Sequence, residues 1–152
     1  MSASKLQLRP LQVEDEPSFK KAVEVFQTET TPFEFAFHFD PTADFSAYVA
    51  KLNNWSQGRD LPDNFVPNTF FVGIVAGEVV GRLSLRHRLN DFLSQFGGHI
   101  GYGVVPAHRN RGYATAMLRQ ALDYCASFPI DPVLILCDDN NPASQKVIQR
   151  CG

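Results

Sequence analysis

Residues 101–115 read Gly101-Tyr-Gly-Val-Val-Pro-Ala-His-Arg-Asn-Arg-Gly-Tyr-Ala-Thr115. A strand-like run ends at Pro106, a short basic turn follows, and an amphipathic helix is predicted to begin near Arg111. Any fold of this chain must therefore set a strand end, a tight turn and a helix start one after another. Gly112 and Ala114 fall where the first turn of that helix forms. N–H groups in a first turn lack intrahelical partners and can hold a phosphate. Small residues let such a ligand come close to the backbone, and Arg109 and Arg111 bring positive charge beside it.

The elements around this stretch follow from periodicity. Leu6 to Arg9 reads as a short first strand. Asp15 is expected to cap the next helix, with Pro17 in its first turn. Phe19, Ala22, Val23 and Phe26 recur at helical spacing and predict one buried face. Phe33, Phe35, Phe37 and Phe39 alternate, which suits an extended segment or an aromatic wall, read either as a loop packed on the core or as one side of an acceptor pocket with Glu34 or Asp40 near its mouth. A second helix is predicted over Asp44–Ser56, ended by Gly58, and residues 59–68 read as a loop. Strands are predicted at Thr69–Val75, Glu78–Arg88 and His99–Val105, with Ala76-Gly77 as the first turn. Leu83 and Leu85 should face one way, and Arg82, Ser84 and Arg86 the other.

Ala114, Met117, Leu118, Ala121, Leu122 and Cys125 form a helical stripe. Val133-Leu-Ile-Leu-Cys137 is apolar throughout, as in a strand covered on both faces, and Asn141-Pro-Ala-Ser144 starts a last helix. The order β-α-α-β-β-β-α-β-α predicts an α/β (α+β) fold, a mixed sheet with helices on both faces, in one domain spanning 1–152.

Bulk properties exclude several classes. The formal net charge of −2 argues against general nucleic-acid affinity. No apolar run reaches the ~20 residues needed to span a bilayer. The start, Met-Ser-Ala-Ser-Lys, lacks a signal-peptide core. Cys125, Cys137 and Cys151 form neither a metal motif nor an even disulfide set. These features predict a cytoplasmic protein with no metal, nucleic-acid or membrane partner.

Val105-Pro-Ala-His-Arg-Asn-Arg-Gly-Tyr-Ala-Thr115 resembles the coenzyme A pyrophosphate loop of the GNAT N-acetyltransferases, whose pattern Arg/Gln-x-x-Gly-x-Gly/Ala is met here by Arg109, Gly112 and Ala114. Its context adds weight: a strand before, an amphipathic helix after, then an apolar strand and an Asn-x-x-Ser helix start. Leu83-Ser-Leu-Arg-His-Arg-Leu-Asn90 and Gly97-Gly-His-Ile-Gly-Tyr-Gly103 resemble a branch of bacterial predicted acetyltransferases.

The resemblance implies the acyl-CoA N-acyltransferase fold, with acetyl-CoA between the strand ending at Val105 and the strand ending at Cys137. It implies that Val104 and Val105 bind the pantetheine arm, that backbone groups of Arg109, Asn110, Arg111, Gly112, Tyr113, Ala114 and Thr115 bind the pyrophosphate, and that Asn141 and Ser144 complete the cofactor site. It also implies direct attack by a primary amine of a small-molecule or peptide acceptor.

An alkyl amine has a pKa of ~10.4, so freeing it of its proton at pH 7 costs roughly 4–5 kcal/mol and calls for a base or a water chain. His99, Tyr102 and Ser144 are the candidate catalytic residues, with His99 also readable as a structural histidine and His87 of similar standing. The tyrosine that many family members carry in the last helix is replaced by Val147-Ile148, leaving Ser144 or a water to protonate the thiolate. Arg86, His87 and Asn90 are the candidate acceptor contacts, suited to an acidic acceptor; the competing reading is a solvated face with ion pairs. Gly152 stands where the family adds a C-terminal strand pair, so the expectation is either a shortened product or a second subunit, a homodimer, covering the edge of the Val133–Cys137 strand. A CoA-binding regulatory or catalytically weak module is the alternative function. A different nucleotide binder finds no Gly-x-x-x-x-Gly-Lys-Ser/Thr or Gly-x-Gly-x-x-Gly support.

Overall fold

The computed structural model of the protein describes residues 5–29, 34–95, 98–125, 133–135 and 148–149. Four strands, β1 (Gln7–Pro10), β2 (Asn68–Val75), β3 (Glu78–Arg86) and β4 (Ile100–Val104), pair antiparallel in the order β1-β2-β3-β4. Three α-helices, α1 (Glu16–Gln27), α2 (Phe45–Ser56) and α3 (Tyr113–Cys125), and two 3-10 turns, Val13–Asp15 and Pro106–His108, accompany the sheet.

Strand alternation divides the sheet into two faces, each covered by helix. Phe70, Val72, Ile74 and Val79 face the layer of α1 and α2; Phe71, Leu83, Leu85 and Ile100 face α3. The first layer is aromatic. Phe19 of α1 is fully buried, 5.4 Å edge-on from Phe39 and 6.1 Å from Phe70, and Trp55 of α2 is almost as deeply covered. The second layer is aliphatic, built on Met117, Leu118 and Ala121 of α3, all fully buried. Burying a side chain of this size contributes about 1.5–3 kcal/mol. Both helical stripes read from the sequence therefore point where they should, on opposite faces of one sheet.

Three expectations need correction. Asp15 stands at the N-cap position of α1, but its side chain makes no capping bond to that helix. It accepts from the Gln12 N–H (2.8 Å) and pairs with Arg9 (2.8 and 2.9 Å), so it closes the 3-10 turn Val13–Asp15. Burial alone would raise its pKa, but the Arg9 hydrogen bond, the Gln12 amide and the Arg9 charge outweigh burial and hold it below the usual carboxylate value. β3 stops at Arg86 rather than Arg88: the His87 N–H still donates to Pro67 O (2.8 Å), the next residue opposite in register, but Pro67 has no N–H to return the bond. The alternating phenylalanines lie in bends and a turn, with no strand: Phe35 is buried and stacks on Phe26 at 4.8 Å, while Phe37 and Phe39 pack against the same aromatic layer. The reading of this segment as a loop packed on the core is the one the structure supports. Phe33 lies outside the described residues.

Candidate active site

The site grows from the end of β4. The Val105 N–H donates to Val80 O at 2.8 Å, the last bond of β4 with β3. Antiparallel alternation then turns the backbone groups of Val104 to the side of β4 away from β3. The 3-10 turn Pro106–His108 follows, then Arg109 in an extended conformation, Asn110 at φ 65°, Gly112 at φ 79°, and α3 from Tyr113.

α3 starts two residues later than the sequence predicts, because Gly112 is left-handed and cannot belong to a right-handed helix. The Ala116 N–H donates to Gly112 O (3.1 Å), so the amides of Tyr113 and Ala114 come ahead of that bond, at the positive end of the helix. No described atom lies within 4 Å of where a Cβ on Gly112 would stand. Asn110, Arg111 and Gly112 are exposed, and the Tyr113 ring is buried in the aliphatic layer, leaving its backbone at the loop. This open, amide-lined turn fits a diphosphate.

The side chain of Arg109 points elsewhere. Its Nε donates to Val104 O (3.1 Å), its Nη2 pairs with Glu29 at the end of α1 (3.0 Å), and its guanidinium lies 5.8 Å from the Phe26 ring centroid. Arg109 thus ties the loop to α1 while its side chain stays 46% exposed, and Arg111 beside it is exposed too.

β4 also separates the two candidate catalytic residues of the strand. Ile100, Tyr102 and Val104 pack on the α3 face. His99, Gly101 and Gly103 lie across from Arg86, Ser84 and Arg82 on the α1/α2 face, with Arg86 N–H donating to His99 O at 2.7 Å. A Cβ on Gly101 would sit 3.6 Å from the Arg86 guanidinium and 3.8 Å from that of Arg82, so two cations cover the glycine.

Arg82 is 4% exposed. It donates to Phe35 O (3.1 Å), Glu34 O (2.7 Å) and Gly101 O (3.1 Å), with Phe37 under its guanidinium at 4.8 Å. Burial, then the Arg86 charge, lowers its pKa. The expectation of a solvated arginine face is overturned here, since the loop at 34–39 folds over it. The Arg86 Nη1 donates to Gly98 O (3.2 Å), and burial lowers its pKa too.

His87 and Asn90 do not join Arg86. The His87 Nε2 meets Thr69 Oγ1 (2.8 Å), which meets Ser56 Oγ (2.7 Å). Asn90 donates to Asn64 O (3.1 Å) and accepts from Leu93 N–H (2.9 Å). Both stitch loops together. His99 is buried; its Nδ1 accepts from Leu134 N–H (2.9 Å) while its own N–H donates to Leu134 O (2.8 Å). Beside this contact Gly98 and Ile135 form an antiparallel bridge, the described part of the apolar run 133–137. Asn141, Ser144 and Cys137 lie outside the described residues. The role of Arg82 was missed from sequence; its one signal is an arginine between Gly81 and Leu83 in a strand bracketed by helices.

The same fold, a sheet covered by helices on both faces, occurs in solved acetyltransferases. RimJ of Mycobacterium smegmatis, solved in complex with CoA-disulfide, superposes with a TM-score of 0.66 at 22% identity, over 97% of this chain and 69% of that one. RimL, a ribosomal L7/L12 alpha-N-protein acetyltransferase in complex with coenzyme A, gives a TM-score of 0.62 at 16% identity, over 99% of this chain and 80% of that one. At such identities the likeness is one of fold. Mycothiol acetyltransferase of Amycolatopsis mediterranei is 36% identical over 92 residues, 60% of this chain and 28% of that protein, so the match spans less than a third of the relative's length. The model of the Acetyltransferase (GNAT) domain family matches residues 5–152, and the chain belongs to that family. GNAT acetyltransferases use acetyl-CoA as their acetyl donor.

Proposed function

We propose that this chain is an N-acetyltransferase that passes the acetyl group of acetyl-CoA to a primary amine by direct attack within a ternary complex. The observation that carries the reading is the open turn at Gly112, with the Tyr113 and Ala114 amides ahead of the first α3 hydrogen bond. These groups would hold the pyrophosphate, and Arg111 would add charge beside it. The outward backbone edge of β4 at Val104 would hold the pantetheine arm. Acetyl-CoA supplies an activated acyl group on a thiol leaving group with a pKa of ~8.5.

The acceptor would lie near the α1/α2 face of β4, where Gly101 leaves room for the Arg82 and Arg86 guanidiniums and so brings two cations to the site. Neighbouring cations disfavour an ammonium and favour the neutral amine that attacks, so the two guanidiniums lower the cost of deprotonation. A carboxylate on the acceptor would complement Arg86. The proton would leave through water. Of the three candidate acceptor contacts, Arg86 keeps the role, and His87 and Asn90 hold the surrounding loops.

The test is thiol release from acetyl-CoA with a panel of amines, matched in length and differing in carboxylate content. Turnover with the acidic members at least tenfold above their neutral counterparts is expected, with that preference lost in R86Q. Acetyl-CoA binding without turnover of any amine would leave a binding module and refute the enzyme.

A further inference from the structure

Residues 133–135 meet the start of β4 at Gly98 and His99, while Val133 and Ile135 pack against the aliphatic layer. The His99 N–H donates to Leu134 O at 2.8 Å, and the His99 Nδ1 accepts from Leu134 N–H at 2.9 Å. Both backbone groups of Leu134 are satisfied by a single residue, next to the Gly98–Ile135 bridge. Gly98 is tight here: a Cβ on it would stand 2.5 Å from Leu134 O. The segment thus packs so close to Gly98 that no side chain fits between them.

The chemistry of the ring follows from the bond. A nitrogen that accepts from an amide carries no proton, so the neutral imidazole has its hydrogen on Nε2. In that state neither nitrogen can take a proton from an acceptor amine: Nδ1 spends its lone pair on Leu134, and Nε2 is already protonated. The charged group facing the ring among the described residues is Arg86 of β3; the 133–135 segment brings Val133, Leu134 and Ile135, none of which titrates. Burial, then the Arg86 charge, lowers the His99 pKa and favours the neutral ring.

We infer that His99 is a positioning residue, not the general base: it clasps Leu134 to the start of β4 and so sets the gap in which the pantetheine arm lies. The inference rests on the acetyl-CoA reading above. Its pH sign is fixed. A histidine whose folded pKa is depressed keeps its contribution above the unfolded value of about 6.5, and loses it as the pH falls through the folded one.

Asparagine can place Oδ1 where Nδ1 stands; glutamine and alanine cannot. Three readouts separate the outcomes. Peptide hydrogen exchange over 133–135 should be slow in the wild type and in H99N, and fast in H99Q and H99A. The acetyl-CoA Kd should rise about tenfold or more in H99Q and H99A and be largely recovered in H99N, the change appearing in KM more than in kcat. Wild-type acetyl-CoA affinity should fall toward pH 5.5, with a flatter profile in H99N. Should H99A fail to fold, the H99N and H99Q pair carries the same comparison. An equal loss of kcat of about 100-fold in H99N and H99Q, with acetyl-CoA affinity intact, would restore the base. Unchanged exchange in every variant would remove the clasp. Slow exchange rescued by asparagine in a protein that binds no acetyl-CoA would retain the clasp and overturn the cofactor reading and the role built on it.

Discussion

Gly81 and Gly73 sit opposite each other on β3 and β2, and both face Met117 of α3. Their tolerance of a methyl group differs for a local reason. A Cβ on Gly81 would stand 2.7 Å from Gly103 O, a backbone atom fixed in the sheet. A Cβ on Gly73 would meet Met117 Sδ at 2.8 Å and Leu6 Cδ1 at 3.1 Å, both ends of flexible side chains. G81A should therefore cost about 1–3 kcal/mol, as overpacking does, and G73A less. Urea titrations of the two variants check the order; equal midpoints would refute it. Residue-level facts of this kind were the least legible in the sequence. The alternation of Arg82 with Leu83 was visible, but its burial depends on a loop 47 residues away whose Phe35 carbonyl accepts from Arg82 Nε. His99 was visible as a candidate, but its partner Leu134 is 35 residues along the chain. Arg109 was visible as a motif residue, and only the fold turns its side chain onto Glu29.

Elements were read more successfully, because periodicity is a property of each segment alone. α2 was predicted from Asp44, and Asp44 is its cap, with the side chain accepting from Ser46 N–H at 3.2 Å. The stripe on α3 and the two faces of β3 lie as expected. Errors collected at ends, where one bond or one dihedral decides. The start of α3 is such a case: Gly112 at φ 79° sets the first helical residue and aims its amides. An alanine there meets no described atom, so its cost is conformational, about 1–2 kcal/mol for a left-handed residue. G112A should lower the thermal midpoint modestly and weaken acetyl-CoA binding by a larger factor than its stability loss explains. Calorimetry on the variant checks this, and an unchanged Kd would move the diphosphate away from this turn.

At the scale of the molecule, two separate packed layers share one sheet, and the proposed cofactor loop joins the sheet to the aliphatic one. A ligand that binds only the folded chain stabilises it by about 2.7 kcal/mol at 100 times its Kd. For a domain of this size that is a rise in Tm of roughly 5–11 °C, at about 2–4 °C per kcal/mol. Acetyl-CoA and CoA should both produce it and ATP should not, as followed by the fluorescence of Trp55, buried in the aromatic layer. An equal rise with ATP would point to a generic nucleotide site. The layered fold was legible because hydrophobic pattern alone specifies which faces must be covered. The site was legible only as a backbone turn, since side-chain placement depends on contacts between distant segments.

The notch between Gly73 and Gly81 has one more implication. It holds the Met117 thioether with no exposure and sub-van-der-Waals clearance for anything larger. A sulfoxide oxygen has nowhere to go in that space, and its polarity has no partner there. Peroxide can therefore reach this sulfur only when the sheet and α3 part, so the pace of oxidative damage at Met117 clocks the opening of the domain itself.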